Sequence, residues 1–198
     1  MPAHNLPVPN HAKLREDARR EVVEELGRIA RPDDRFKRAC EIVQQADLEI
    51  AAHQDERNQA AMSLWFYENL AGLGNVMGIN ANAYSEMRRI ALRGDRKATI
   101  NHDGRQDGRL TPEERAAAAR EAGVPEIKDA RDKLPELAET MSVATARRAA
   151  AMPFLQDAAL ALFEEPYGKT TDEIAEIGNV TPKYARDVKN QAKRRRDG

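Results

Sequence analysis

Lys183, Arg186, Lys189, Lys193, Arg194, Arg195 and Arg196 crowd into the last stretch of the chain, opposed there only by Asp187 and Asp197. Ammonium and guanidinium groups at that density are phosphate ligands, because each neutralised phosphate releases counterions. Thr181, Tyr184 and Asn190 are interleaved with them. An amide or guanidinium aimed at a base edge reads adenine or guanine through paired hydrogen bonds. The residues therefore suit nucleic-acid contact: Lys193, Arg194, Arg195 and Arg196 on backbone, with Thr181, Lys183, Tyr184, Arg186 and Asn190 near base edges and Lys189 on phosphate. The alternative is a solvated helix end, where cations are favoured whatever they bind.

A second set, Asn80, Asn82, Ser85, Arg88 and Arg89, offers similar side chains on a less basic stretch. There Asn80 can equally be a helix N-cap, and the stretch a scaffold or dimer surface. No other constellation points to chemistry. His4, His11, His53 and His102 are scattered, and with Cys40 as the one cysteine they form no metal-ligand spacing. Asp103 to Asp107 lacks the closing glutamate of a calcium loop. Gly72-Leu73-Gly74 follows no strand, which excludes a dinucleotide fingerprint. Consecutive helical residues point in different directions, so Trp65 and Phe66 are expected in the core and Tyr67 partly exposed. No enzyme, cofactor or metal is expected.

The elements that carry the basic set are short. Thr171 is the expected N-cap of a helix containing Ile174, Ala175 and Ile177, and Gly178-Asn179 supplies a left-handed turn. Thr181-Pro182 then caps and opens a second helix, with proline at the first position, where its missing N–H costs nothing. Ala185 and Val188 face back toward Ile174 and Ile177. The segment resembles the helix-turn-helix superfamily found in bacterial repressors and in the promoter-reading region of sigma factors. One departure is that the turn position usually held by glycine is Asn179, with Gly178 just before it. The resemblance implies sequence-specific duplex DNA binding by a bacterial, plasmid or phage transcriptional regulator, with the second helix in the major groove.

The same grammar occurs earlier. Leu73-Gly74, Val76, Gly78-Ile79 and Met87 precede Ile174-Ala175, Ile177, Asn179-Val180 and Val188 by 101 positions without a gap. Upstream, the decapeptide starting at Gln59 aligns with the one starting at Gln156. This reads as a tandem of two diverged helical modules. The expected organisation is a disordered arm over 1–10, an N-terminal helical domain over 11–94 with a turn unit at 70–93, and a linker over 95–111. A C-terminal helical domain over 112–198 follows, with a turn unit at 171–193 and a basic tail. Leu14, Ala18, Val22, Leu26 and Ile29 mark a first helix; Phe36, Cys40, Val43, Ala46 and Ile50 mark a second; Asp55 caps a third carrying Met62, Trp65 and Phe66. The linker has two Asp/Gly turn steps and could instead be a β-hairpin wing. Thr111-Pro112-Glu113-Glu114 starts a helix closed by Gly123. Further helices are expected over 126–134, 136–152 and 153–165.

No strand is evident, so the class is all-α. The 198 residues carry a net charge of -1, which excludes a protein that coats nucleic acid along its whole surface. The expected partners are double-stranded DNA and a second copy of the chain, paired through the amphipathic helices between Leu14 and Ile50. The rival reading is a helical protein-interaction module, docking on RNA polymerase or within a phage or plasmid assembly. With no secretory signal and no apolar span, a cytoplasmic, nucleoid-associated location and no membrane partner are expected.

Overall fold

The computed structural model describes residues 6–98, the backbone of Asn101–His102 and Arg105–Gln106, and residues 110–197. The fold is all-α. The described helices are α1 (His11–Gly27), α2 (Pro32–Tyr67), α3 (Leu73–Val76), α4 (Ala81–Arg93), α5 (Pro112–Glu121), α6 (Ala130–Phe163), α7 (Thr171–Gly178) and α8 (Pro182–Asp197). Within the expected linker, β1 (Asn101–His102) and β2 (Arg105–Gln106) form a two-residue antiparallel ladder, so the backbone there makes a hairpin rung. The side chains of 101–109, with residues 1–5 of the expected arm and His4 among them, lie outside the described residues. Of the arm, Leu6 packs against apolar core residues and is not a free tail. Among the described residues no helix is long and apolar enough to cross a membrane.

Five expected helices merge into two: two into α2 and three into α6. α2 runs for 36 residues, and Asp55 lies in its interior instead of capping a new helix. Nothing between Ile50 and Ala60 is Gly or Pro, so the modest propensity cost of Asp and His does not stop it. α6 runs for 34 residues straight through Pro135 and Pro153, where breaks were expected. A proline inside a helix removes a hydrogen bond and crowds the carbonyl one turn back. Here Leu134, Leu137 and Ala138 flank the first proline and Ala150, Ala151 and Leu155 the second, all buried, so packing on both sides holds the helix together.

The chain divides into two compact units, but not at the expected linker. Unit 1 comprises Met1–His11 and Ala51–Met141; unit 2 comprises Ala12–Ile50 and Ser142–Gly198. The reason is where the apolar stripes find partners. Phe36, Cys40 and Val43 of α2 pack with Leu155 and Leu162 of α6 and Ile174 and Val188 of α7 and α8, not with the residues that follow them in sequence. The α1 stripe of Ala18, Val22 and Leu26 is buried in the same unit. Of the helices expected to pair two chains, the residues Val22, Leu26, Phe36, Cys40 and Val43 are covered inside unit 2, while Val23 and Leu48 remain exposed.

Unit 1 is built from the later turns of α2, helices α3 to α5, and the start of α6. Leu64, Phe66, Leu70, Leu73 and Met77 pack with Ala119 and Leu134. Phe66 is buried, Tyr67 is half-buried with its hydroxyl donating to the Val124 carbonyl at 2.7 Å, and Ser63 accepts from the Ile127 amide at 2.8 Å. The Trp65 ring meets Tyr84 edge to face at 6.2 Å and lies under the guanidinium groups of Arg115 and Arg88, at 4.3 and 4.8 Å. The faces of Trp65 are thus occupied within unit 1.

Candidate nucleic-acid interface

The turn before α8 is held at each step by local chemistry. The N-cap of α7 is Thr170, one residue earlier than expected, and Thr171 is the first helical residue. The Thr170 hydroxyl accepts from the Glu173 amide at 3.3 Å, while the Glu173 carboxylate accepts from the Thr170 amide and hydroxyl, each at 2.8 Å. Those donors hold the Glu173 carboxyl below its usual range. Asn179 adopts the left-handed conformation, φ 48° and ψ 49°. The Val180 amide donates to the Ala175 carbonyl at 2.9 Å, which closes the turn. Thr181 accepts from the Tyr184 amide at 3.2 Å and caps α8.

Gly178 is helical, so its role is not the turn conformation. A β-carbon there would stand 2.6 Å from Phe36 Cε1 and 2.8 Å from Cys40 Sγ. Glycine at 178 admits the aromatic ring of α2, and asparagine at 179 makes the reversal. Gln44 of α2 ties down the same turn by donating to the Gly178 and Asn179 carbonyls at 3.3 and 3.1 Å.

The turn in unit 1 repeats this geometry at the same 101-residue offset. Gly78 has φ 64° where Asn179 has φ 48°. The Ile79 amide donates to the Gly74 carbonyl at 3.0 Å, as Val180 does to Ala175, and Asn80 caps Ala83 at 2.8 Å, as Thr181 caps Tyr184. The helices before the turns differ: α3 is the single turn 73–76, whereas α7 has eight residues.

α8 is amphipathic. Ala185, Val188 and Ala192 are buried against the unit 2 core. At about 100° per residue, Lys183, Arg186, Asn190, Lys193 and Arg194 fall on the opposite side, and all five are exposed. None of the four cations among them has an ion-pair partner among the described residues. The other nominated side chains are placed differently. Lys189 is half-buried, with Nζ 4.1 Å from the centre of the Phe163 ring. Tyr184 is half-buried in a pocket with Cys40 and Asp47, and burial raises its phenol pKa, so it faces the core and not a groove. Thr181 serves as the cap. Arg195 pairs with Asp157 and donates to Gln156 Oε1 at 2.9 Å; Arg196 pairs with Glu164 at 2.8 Å and Asp197 at 3.6 Å. The helix continues through these arginines, so the basic tail is its last turn.

The second set does not form an outward basic face. Asn80 is the α4 N-cap, Arg88 stacks on Trp65 and Tyr84 and donates to Ser85 Oγ at 3.3 Å, and Arg89 donates to the Arg96 carbonyl at 3.3 Å. Asn82 is exposed. Burial pushes the Cys40 thiol up to about 12, which removes it as a nucleophile. Among the described residues no three His, Cys, Asp or Glu side chains are grouped as a metal site.

Asp157, Glu164 and Phe163 were not foreseen as neighbours of the basic helix. Asp157 and Phe163 lie on α6 and Glu164 directly follows it, all more than twenty residues upstream of their partners, and only the packing of α8 on α6 brings them there. No protein-family model, curated protein or solved structure matches the chain.

Proposed function

We propose that this chain binds duplex DNA sequence-selectively through α8 and acts as a transcriptional regulator. One observation carries the reading: Lys183, Arg186, Lys193 and Arg194 have no ion-pair partner among the described residues and stand on the outer side of a helix whose inner side is held by Ala185, Val188 and Ala192. A helix of that width fits the major groove, where Lys183, Arg186, Lys193 and Arg194 grip phosphates and Asn190 suits a base edge. The engaged side chains of α4 limit DNA reading to one helix per chain. A second chain on a second half-site supplies the remaining specificity, and its interface lies outside the buried α1 and α2 stripes.

Fluorescence anisotropy on a pool of duplexes, then on the selected site, tests this. Four phosphate contacts give a log-log salt slope of about −3.6, an affinity loss of about 150-fold between about 50 and 200 mM salt. Arg186→Ala combined with Lys193→Ala halves that slope. Absence of binding, or a double variant with unchanged slope and affinity, overturns the proposal. A flat salt response would favour the rival protein-interaction module.

A further inference from the structure

In unit 2 the helices before and after the turn close on each other: Gln156 of α6 donates to Gln191 of α8 at 3.0 Å. The corresponding residues of unit 1, Gln59 of α2 and Ile90 of α4, instead stand on two walls of a groove of about 440 Å³. The segment after α5, with Val124 and Pro125, makes the third wall. Met62 and Met87 line the interior, and Ile90 is left 51% exposed on the rim. We propose that this groove binds a hydrophobic organic cation.

The volume lies in the range of small-molecule sites, and the lining is mainly apolar, as in such sites. Two methionines give flexible, polarizable walls that adapt to rings of different shape. Charge selects the class. The ionisable residues that line the groove are Asp55 and Glu86, both acidic, and neither has an ion-pair partner among the described residues. Both carboxylates are exposed, so each adds a modest attraction to a cation seated on the apolar wall and repels an anion of the same shape. A metal ion is a poor occupant, because no third ligand joins the two carboxylates among the described residues.

Calorimetry on the full chain with tetraphenylphosphonium and with tetraphenylborate, ions of similar shape and opposite charge, tests the assignment. The cation binds once per chain and the anion does not. Asp55→Asn with Glu86→Gln weakens cation binding about threefold to tenfold, while Glu121→Gln, on α5 outside the groove, leaves it unchanged. Absent cation binding, equal binding of both ions, or an effect of Glu121→Gln as large as that of the groove variant overturns the site. So does undiminished binding by the groove variant. The readout uses protein without DNA, so its outcome is separate from that of the DNA-binding proposal.

Discussion

Replacing Gly178 by alanine isolates the role of the closest approach in unit 2. The added methyl would stand 2.6 Å from the Phe36 ring and 2.8 Å from the Cys40 sulfur. Both neighbours are fully buried, at 0% and 1% exposure, so neither can move aside into solvent. Overpacking of this kind costs about 1–3 kcal/mol. Alanine in place of glycine returns about 1 kcal/mol of helix propensity. With a rigid ring as the first obstacle, the cost falls in the upper part of its range, and the net loss is about 1–2 kcal/mol. Gly27 is the internal control. It also ends a helix, but a methyl there meets nothing within 4 Å, so Gly27→Ala stabilises by about 0.5 kcal/mol through the unfolded chain. Urea unfolding followed by far-ultraviolet circular dichroism reads both signs, with midpoints moving in opposite directions. A Gly178→Ala variant as stable as the parent would refute the assignment of that glycine to close packing.

Two further outcomes are expected. The folded Glu173 pKa is depressed, so its contribution to stability is full above the ordinary glutamate value of 4.5 and is lost as pH falls through the lower folded value. The stability gap between the parent and Glu173→Gln therefore narrows below about pH 4.5, and a gap constant from neutral to acid pH would contradict the capping role. Asp157→Asn with Glu164→Gln removes the α6-side ion pairs of Arg195 and Arg196, leaving Arg195 its Gln156 hydrogen bond and Arg196 the Asp197 pair at 3.6 Å. Because both pairs are exposed, unfolding free energy changes by less than about 1 kcal/mol, while the DNA salt slope steepens toward about −5.4. An unchanged slope would mean that these arginines do not reach phosphate.

The turn before α8 was legible because its determinants are local. Thr181, Pro182 and Asn179 each act within a few residues of themselves, and only the N-cap moved by one residue. The long helices were less legible, since Pro135 and Pro153 carry the same local signal whether or not distant side chains clamp them. The division into units was illegible for a related reason: an apolar stripe such as Phe36, Cys40 and Val43 declares that it must be covered, not by what. Within the basic set, helical spacing separated Lys183 and Arg186 from Ala185 and Val188. It did not foresee that Tyr184 turns toward Cys40, or that Arg195 meets an acid on α6 and Arg196 one just after it. The groove in unit 1 had no sequence signal, because it is a gap between helices and not a run of residues.

Because α2 and α6 each begin in one unit and end in the other, neither core is encoded by a continuous stretch. During synthesis, the segment from Ala12 to Ile50 leaves the ribosome long before its covering surface exists, since the whole of 51–141 is made first. Phe36 and Leu26 therefore wait unsheltered until the α7 and α8 residues emerge, and early chain release strands them. A cut between the two β-strands yields two fragments, each holding part of both cores and all of neither, so only recombining the halves restores a folded protein.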